Sequence, residues 1–73
     1  MQIMETRDLI AQNIKQLVTS STKTVEQIAK EVGIHKSVLY HYMAGDNIPN
    51  AVILKELCKA LHCSCEDILG EIK

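Results

Sequence analysis

Residues 24–45 read TVEQIAKEVGIHKSVLYHYMAG, and this stretch decides how the chain folds. Thr24, with Gln27 three positions on, has the form of a capping box. Its hydroxyl accepts from the Gln27 backbone N–H, while the Gln27 side chain reaches back to the backbone of residue 24. A helix of about nine residues should follow and bury Ile28, Ala29 and Val32 on one face. Gly33 ends it, because the position after a helix favours φ > 0 and glycine reaches that region without steric penalty. A second short helix is expected from about Lys36 to Met43, with Gly45 as its stop and Val38, Leu39 and Tyr42 turned inward. His35 stands at its N-cap, or against a phosphate, and the two roles are compatible.

Two helices that cross steeply over Gly33-Ile34-His35 must satisfy three conditions. A small residue is needed where the backbones approach, and Ala29 is one. A residue free to bend with φ > 0 is needed at the corner, and Gly33 is one. Aliphatic residues must fix the angle from beneath, and Ile28, Val32, Ile34 and Leu39, with Tyr42, have the spacing for it. All three conditions are met together.

Working outward, Leu9, Ile10, Ile14, Leu17 and Val18 recur at three- and four-residue spacing and predict a helix over about Thr6 to Val18. Ser20 to Lys23 break it. On the other side, Pro49 closes the loop Asp46-Asn47-Ile48-Pro49, and Asn50 is a good N-cap for a helix over about Ala51 to Leu61. That helix is expected to bury Ile53, Leu54, Leu57, Cys58 and Leu61, with His62 as its C-cap, since histidine tolerates positive φ better than most bulky residues. Ser64, with Asp67 three residues on, caps a last short helix carrying Ile68, Leu69 and Ile72. The expectation is an all-α bundle of five short helices over residues 6–73, preceded by a frayed segment at residues 1–5.

Composition agrees with a small binding module. The chain has 73 residues, 47% of them apolar and 23% charged, and two tyrosines are the only aromatics, so the core must be aliphatic. A chain of this length buries only about 60% of the surface its unfolded form exposes, which leaves little room for a deep catalytic cavity. No apolar run approaches the roughly 18 residues of a membrane span, and the N-terminus lacks a signal-peptide pattern. Three cysteines, an odd number, without such a signal point to a reducing cytoplasm. The net charge is −1, but its distribution is uneven. Residues 32–45 contain His35, Lys36 and His41 and no carboxylate, whereas Glu66, Asp67 and Glu71 gather near the C-terminus.

The stretch 24–45, followed by Pro49, LKELCKAL (54–61) and SCEDILG (64–70), resembles the lambda-repressor-like, Cro/XRE-type helix-turn-helix family. The resemblance spans about residues 6–70 and rests on Ile28, Ala29, Gly33, Ile34 and Leu39, then Leu57, Leu61, Ile68, Leu69 and Gly70, in order. It implies a DNA-binding regulator of transcription, in the simplest case a repressor, that acts as a dimer on an operator and sets its third helix in the major groove of double-stranded DNA. The outward positions of helix 36–43 are Lys36, Ser37, Tyr40 and His41, and side chains near the start of such a helix reach base edges. By this resemblance Lys36, Ser37 and His41 match base-reading positions, and Tyr40 can reach bases or phosphates. Thr24 and Val25, whose N–H groups open the preceding helix, match phosphate anchors, and His35, Asn47 and Asn50 are further backbone-contact candidates. Two positions depart from the family pattern. Val25 stands where glutamine is frequent, and Asp46 where a cation often follows the glycine. The last helix, with Ile68, Leu69 and Ile72, is the expected dimer surface, since so small a monomer should not bury all three.

Other readings are weaker. Cys58, His62, Cys63 and Cys65 cluster within eight residues, but Cys58 faces the core, Cys63 and Cys65 sit where the last helix docks, and a Cys-x-Cys spacing lacks the reach usual for structural zinc. No metal or other cofactor is expected. Ser37 and His41 lie one turn apart, yet no third group orients the histidine, so no enzyme activity is expected either. A protein-interaction module on the same fold, with weak or no DNA binding, is the alternative that the acidic balance, Asp46 and Val25 favour.

Overall fold

The computed structural model describes residues 6–69. The fraying expected for residues 1–5, the roles given to Gly70 and Ile72, and the side chain of Cys65 lie outside the described residues. Five helices follow in order: α1 (Thr6–Ser20), α2 (Val25–Val32), α3 (Lys36–Ala44), α4 (Ala51–Leu61) and α5 (Cys65–Leu69). No strand occurs among the described residues. The all-α, five-helix architecture is therefore the one expected.

Local chemistry sets the helix ends. At the start of α2 the Thr24 hydroxyl accepts from the Gln27 N–H (3.1 Å), and Gln27 Oε1 accepts from the Thr24 N–H (2.9 Å), which completes the capping box. Asn50 Oδ1 caps α4 by accepting from the Ile53 N–H (2.9 Å). Ser64 and Asp67 cap α5 reciprocally. The C-termini of α2, α3 and α4 share one design. The N–H of Ile34 reaches the Ala29 carbonyl, that of Asp46 the His41 carbonyl and that of Cys63 the Cys58 carbonyl, each at 3.0 Å. These are Schellman closures, and each has a left-handed residue at its bend: Gly33 (φ 89°), Gly45 (φ 86°) and His62 (φ 52°).

Helix α1 runs two residues past the expected Val18 to Ser20. The Thr19 hydroxyl donates to the Lys15 carbonyl (2.7 Å) and so bonds back into the helix just before the expected break.

Helix α1 packs on α3 and α5, α2 packs on α3 and α4, and α4 packs on α5. The five largest fully buried side chains, Ile14, Ile28, Leu39, Leu57 and Ile68, come one from each helix. No helix can leave the bundle without exposing a complete aliphatic side chain, each worth about 1.5–3 kcal/mol of burial. Ala29, the small residue expected where α2 and α3 approach, is 2% exposed. Val38, Ile34, Ile53, Leu54 and Leu61, expected inside, are only partly buried around this centre. Ile68 needs a larger correction. It was expected on the outer, dimer-forming surface, but it is fully buried, because α5 lies against α1 and α4 and points this side chain between them. Leu69 beside it is half-buried.

Candidate nucleic-acid interface

Helix α3 divides into two arcs. At about 100° per residue, Lys36, Ser37, Tyr40 and His41 occupy an arc of about 140°, and Val38, Leu39, Tyr42 and Met43 fill the opposite one. The burial pattern follows this division. Leu39 and Tyr42 are core residues and Val38 and Met43 are partly buried, whereas the four residues of the first arc are exposed. Lys36, Ser37, Tyr40 and His41, the outward positions read from the sequence, do stand outward and uncovered.

The corner before α3 fixes how this face is presented. His35 is its N-cap, an uncommon choice for which the ring must have an acceptor. Nδ1 accepts from the Ser37 backbone N–H (3.1 Å) and lies 2.8 Å from the Ser37 hydroxyl. A nitrogen that accepts from an N–H carries no proton, so the Ser37 hydroxyl donates to it too, and its lone pairs are left facing outward. In the neutral ring the proton then sits on Nε2. Ser37, which from the sequence can donate or accept, is in this arrangement an acceptor.

Lys36 and His41, the two nitrogen donors on the face, both have carboxylate partners. Lys36 Nζ lies 3.4 Å from Glu26 Oε1, and His41 Nδ1 lies 3.1 Å from Asp46 Oδ2. All four side chains are more than half exposed, so these are surface pairs of at most about 1 kcal/mol each. The Lys36–Glu26 pair can yield to a stronger partner. The Asp46 carboxylate, at a position where the family often has a cation, thus orients an imidazole. Sequence reasoning missed Glu26, because it meets Lys36 ten residues on, across the corner, where the one-turn pairing rule of a single helix does not reach.

Of the residues matched to phosphate anchors, Thr24 uses its hydroxyl in the capping box, and the Val25 side chain packs against the core. What α2 can offer an anion is its first backbone N–H groups, at the positive end of the helix dipole. Asn47 and Asn50 are both exposed, and Asn50 already commits Oδ1 to its cap. Cys58 is buried, Cys63 is partly buried against the core, and His62 is exposed at the α4 bend. Among the described residues, no three His, Cys, Asp or Glu side chains are grouped to hold a metal ion. No described helix is long and apolar enough to cross a membrane.

A short helix set across its neighbour by a left-handed glycine, inside a five-helix bundle and with its polar face free, defines the helix-turn-helix class. The chain belongs to the helix-turn-helix family of Cro/C1 type: the family model described as Helix-turn-helix matches residues 14–68. No curated protein matches it in sequence. Among solved structures it is similar to that of the SOS-response transcriptional repressor LexA from Eubacterium rectale, with a TM-score of 0.84 at 20% identity, covering 100% of this chain and 78% of that one. It is also similar to the clp gene regulator ClgR from C. glutamicum, with a TM-score of 0.83 at 18% identity, covering 92% of this chain and 87% of that one. At such identities the likeness shows the shared fold.

Proposed function

We propose that this protein is a sequence-specific DNA-binding regulator of transcription, a cytoplasmic repressor that works as a homodimer and reads the major groove with α3. The observation that carries this reading is the exposed arc of Lys36, Ser37, Tyr40 and His41 on a helix whose other side is locked into the core. An α-helix fits the major groove of B-DNA, and Lys36 at its N-terminal end can donate to guanine O6 and N7. The N–H groups opening α2 and the exposed Asn47 and Asn50 would hold the flanking phosphates, with His35 Nε2 as a further donor. Family membership supports the reading, as do the names of the two structural neighbours, both regulators. Two protomers would place α3 in successive major grooves about 34 Å apart. With Ile68 buried, the dimer contact at the last helix would rest on Leu69 among the described residues.

The second reading, a protein-interaction module, draws support from the same face. Lys36 and His41 already have carboxylate partners there and Tyr40 is exposed, while Ile48 in the following loop and Val52 on α4 expose further large apolar side chains. One experiment separates the two. Selection from a random duplex pool should enrich a two-fold symmetric motif, and Lys36→Glu should weaken binding to it by at least about ten-fold. A pool that yields no motif, or a motif bound equally by Lys36→Glu, contradicts the DNA-reading account.

A further inference from the structure

The two histidines flanking the polar face of α3 have partners that favour opposite tautomers of the neutral ring. His35 Nδ1 accepts from the Ser37 N–H, so its outer nitrogen, Nε2, bears the proton in the neutral ring. His41 Nδ1 faces Asp46 Oδ2 at 3.1 Å. An ionised carboxylate can only accept, so here Nδ1 bears the proton, and in the neutral ring the outer Nε2 is a lone-pair acceptor. His41 and Asp46 are both more than half exposed, and they are joined through the turn that ends α3, where the Asp46 N–H bonds the His41 carbonyl at 3.0 Å. Backbone and side chain of Asp46 therefore hold the same residue at both its ends.

We propose that His41 is a specificity-determining residue that selects an amino base over a keto base, and that Asp46 is the positioning residue that makes it do so. The inference rests on the DNA-reading function proposed above and sharpens it. In the major groove adenine N6 and cytosine N4 are donors, whereas guanine O6 and thymine O4 are acceptors at the equivalent place. An Nε2 acceptor complements the first pair and is repelled by the second. Lys36, a donor at the other end of the helix, has the opposite preference and suits guanine. The face thus carries a donor at its start and an acceptor at its end, and the half-site it fits has guanine under Lys36 and adenine or cytosine under His41. Asp46 is a cost to general DNA affinity, because its carboxylate repels phosphates, and control of the His41 tautomer is the return.

The test compares wild-type protein, His41→Ala and Asp46→Ala. In alkaline buffer, 15N spectra of the free protein should place the His41 proton on Nδ1 in the wild type and shift it toward Nε2 in Asp46→Ala. In parallel, each protein is run against a random duplex pool, and the base pair under His41 is identified as the one whose preference vanishes in His41→Ala. There the wild type should favour amino over keto bases by about ten-fold. Asp46→Ala should bring that preference to about three-fold or less while leaving the guanine preference under Lys36 intact. Removing a charge alone would raise affinity for all sequences equally and move neither the tautomer nor the preference at a single base pair. A wild-type His41 proton on Nε2, or an unchanged preference in Asp46→Ala, overturns the proposal and leaves DNA reading standing. A wild-type protein that enriches no sequence at all overturns both.

Discussion

At His62 the backbone turns to φ 52°, ψ 47°, the left-handed conformation that Gly33 and Gly45 adopt at the two equivalent helix ends. An L-residue with a Cβ pays about 1–2 kcal/mol to be there, and glycine gives back about 0.5–1 kcal/mol through its looser unfolded chain. His62→Gly should therefore stabilise the fold by about 0.5–1 kcal/mol, seen as a rise in the denaturant midpoint with unchanged slope. A lower midpoint would mean that the imidazole contributes something its exposed position does not suggest. Gly33 presents the converse case. A Cβ built there meets nothing within 4 Å, so its requirement is conformational alone, whereas at Gly45 a Cβ would touch Ala11 Cβ at 3.5 Å, an ordinary contact. The corner that presents α3 thus depends on backbone freedom and not on tight space. All three of these positions were legible in the sequence, since each is a local choice at a helix end.

Elements were legible to the same degree that their chemistry is local. Thr24 with Gln27, Asn50, and Ser64 with Asp67 cap the helices they were expected to cap, because each acts within a few residues of itself. Contacts between elements were not legible. Lys23 reads as part of a polar break, yet its Nζ donates to the Ala60 carbonyl (2.8 Å) and meets Glu31 (3.0 Å), which pins the α1–α2 loop to the last turn of α4. Asn13 on α1 donates through Nδ2 to the Ile68 carbonyl (2.8 Å), fifty-five residues away, and so orients α5. That bond and the packing of α5 on α1 explain why Ile68 is core: periodicity shows that a residue is apolar, but not which neighbour covers it. Asn13→Ala should cost about 1 kcal/mol, with the loss of hydrogen-exchange protection concentrated in α5. Protection lost evenly through all five helices would show that Asn13 supports the core as a whole and not this one docking.

In the whole molecule, five short helices each commit one fully buried side chain to a shared centre, and α3 is held there by Leu39 and Tyr42. Net stability for 73 residues is about 4–11 kcal/mol, so losing any one of those anchors, at about 2–5 kcal/mol, removes a large share of it. The rigid side of α3 is what gives its free side a fixed donor and acceptor pattern. A bulk charge of −1 hides this arrangement, because Lys36 and His41 are matched by Glu26 and Asp46 beside them. The most direct test of the account is chemical-shift mapping of 15N-labelled protein during titration with its selected duplex. The largest changes should fall on Lys36, Ser37, Tyr40 and His41 and on the N–H groups of Val25 and Glu26. Changes confined to α4 and α5, with α3 undisturbed, would contradict it.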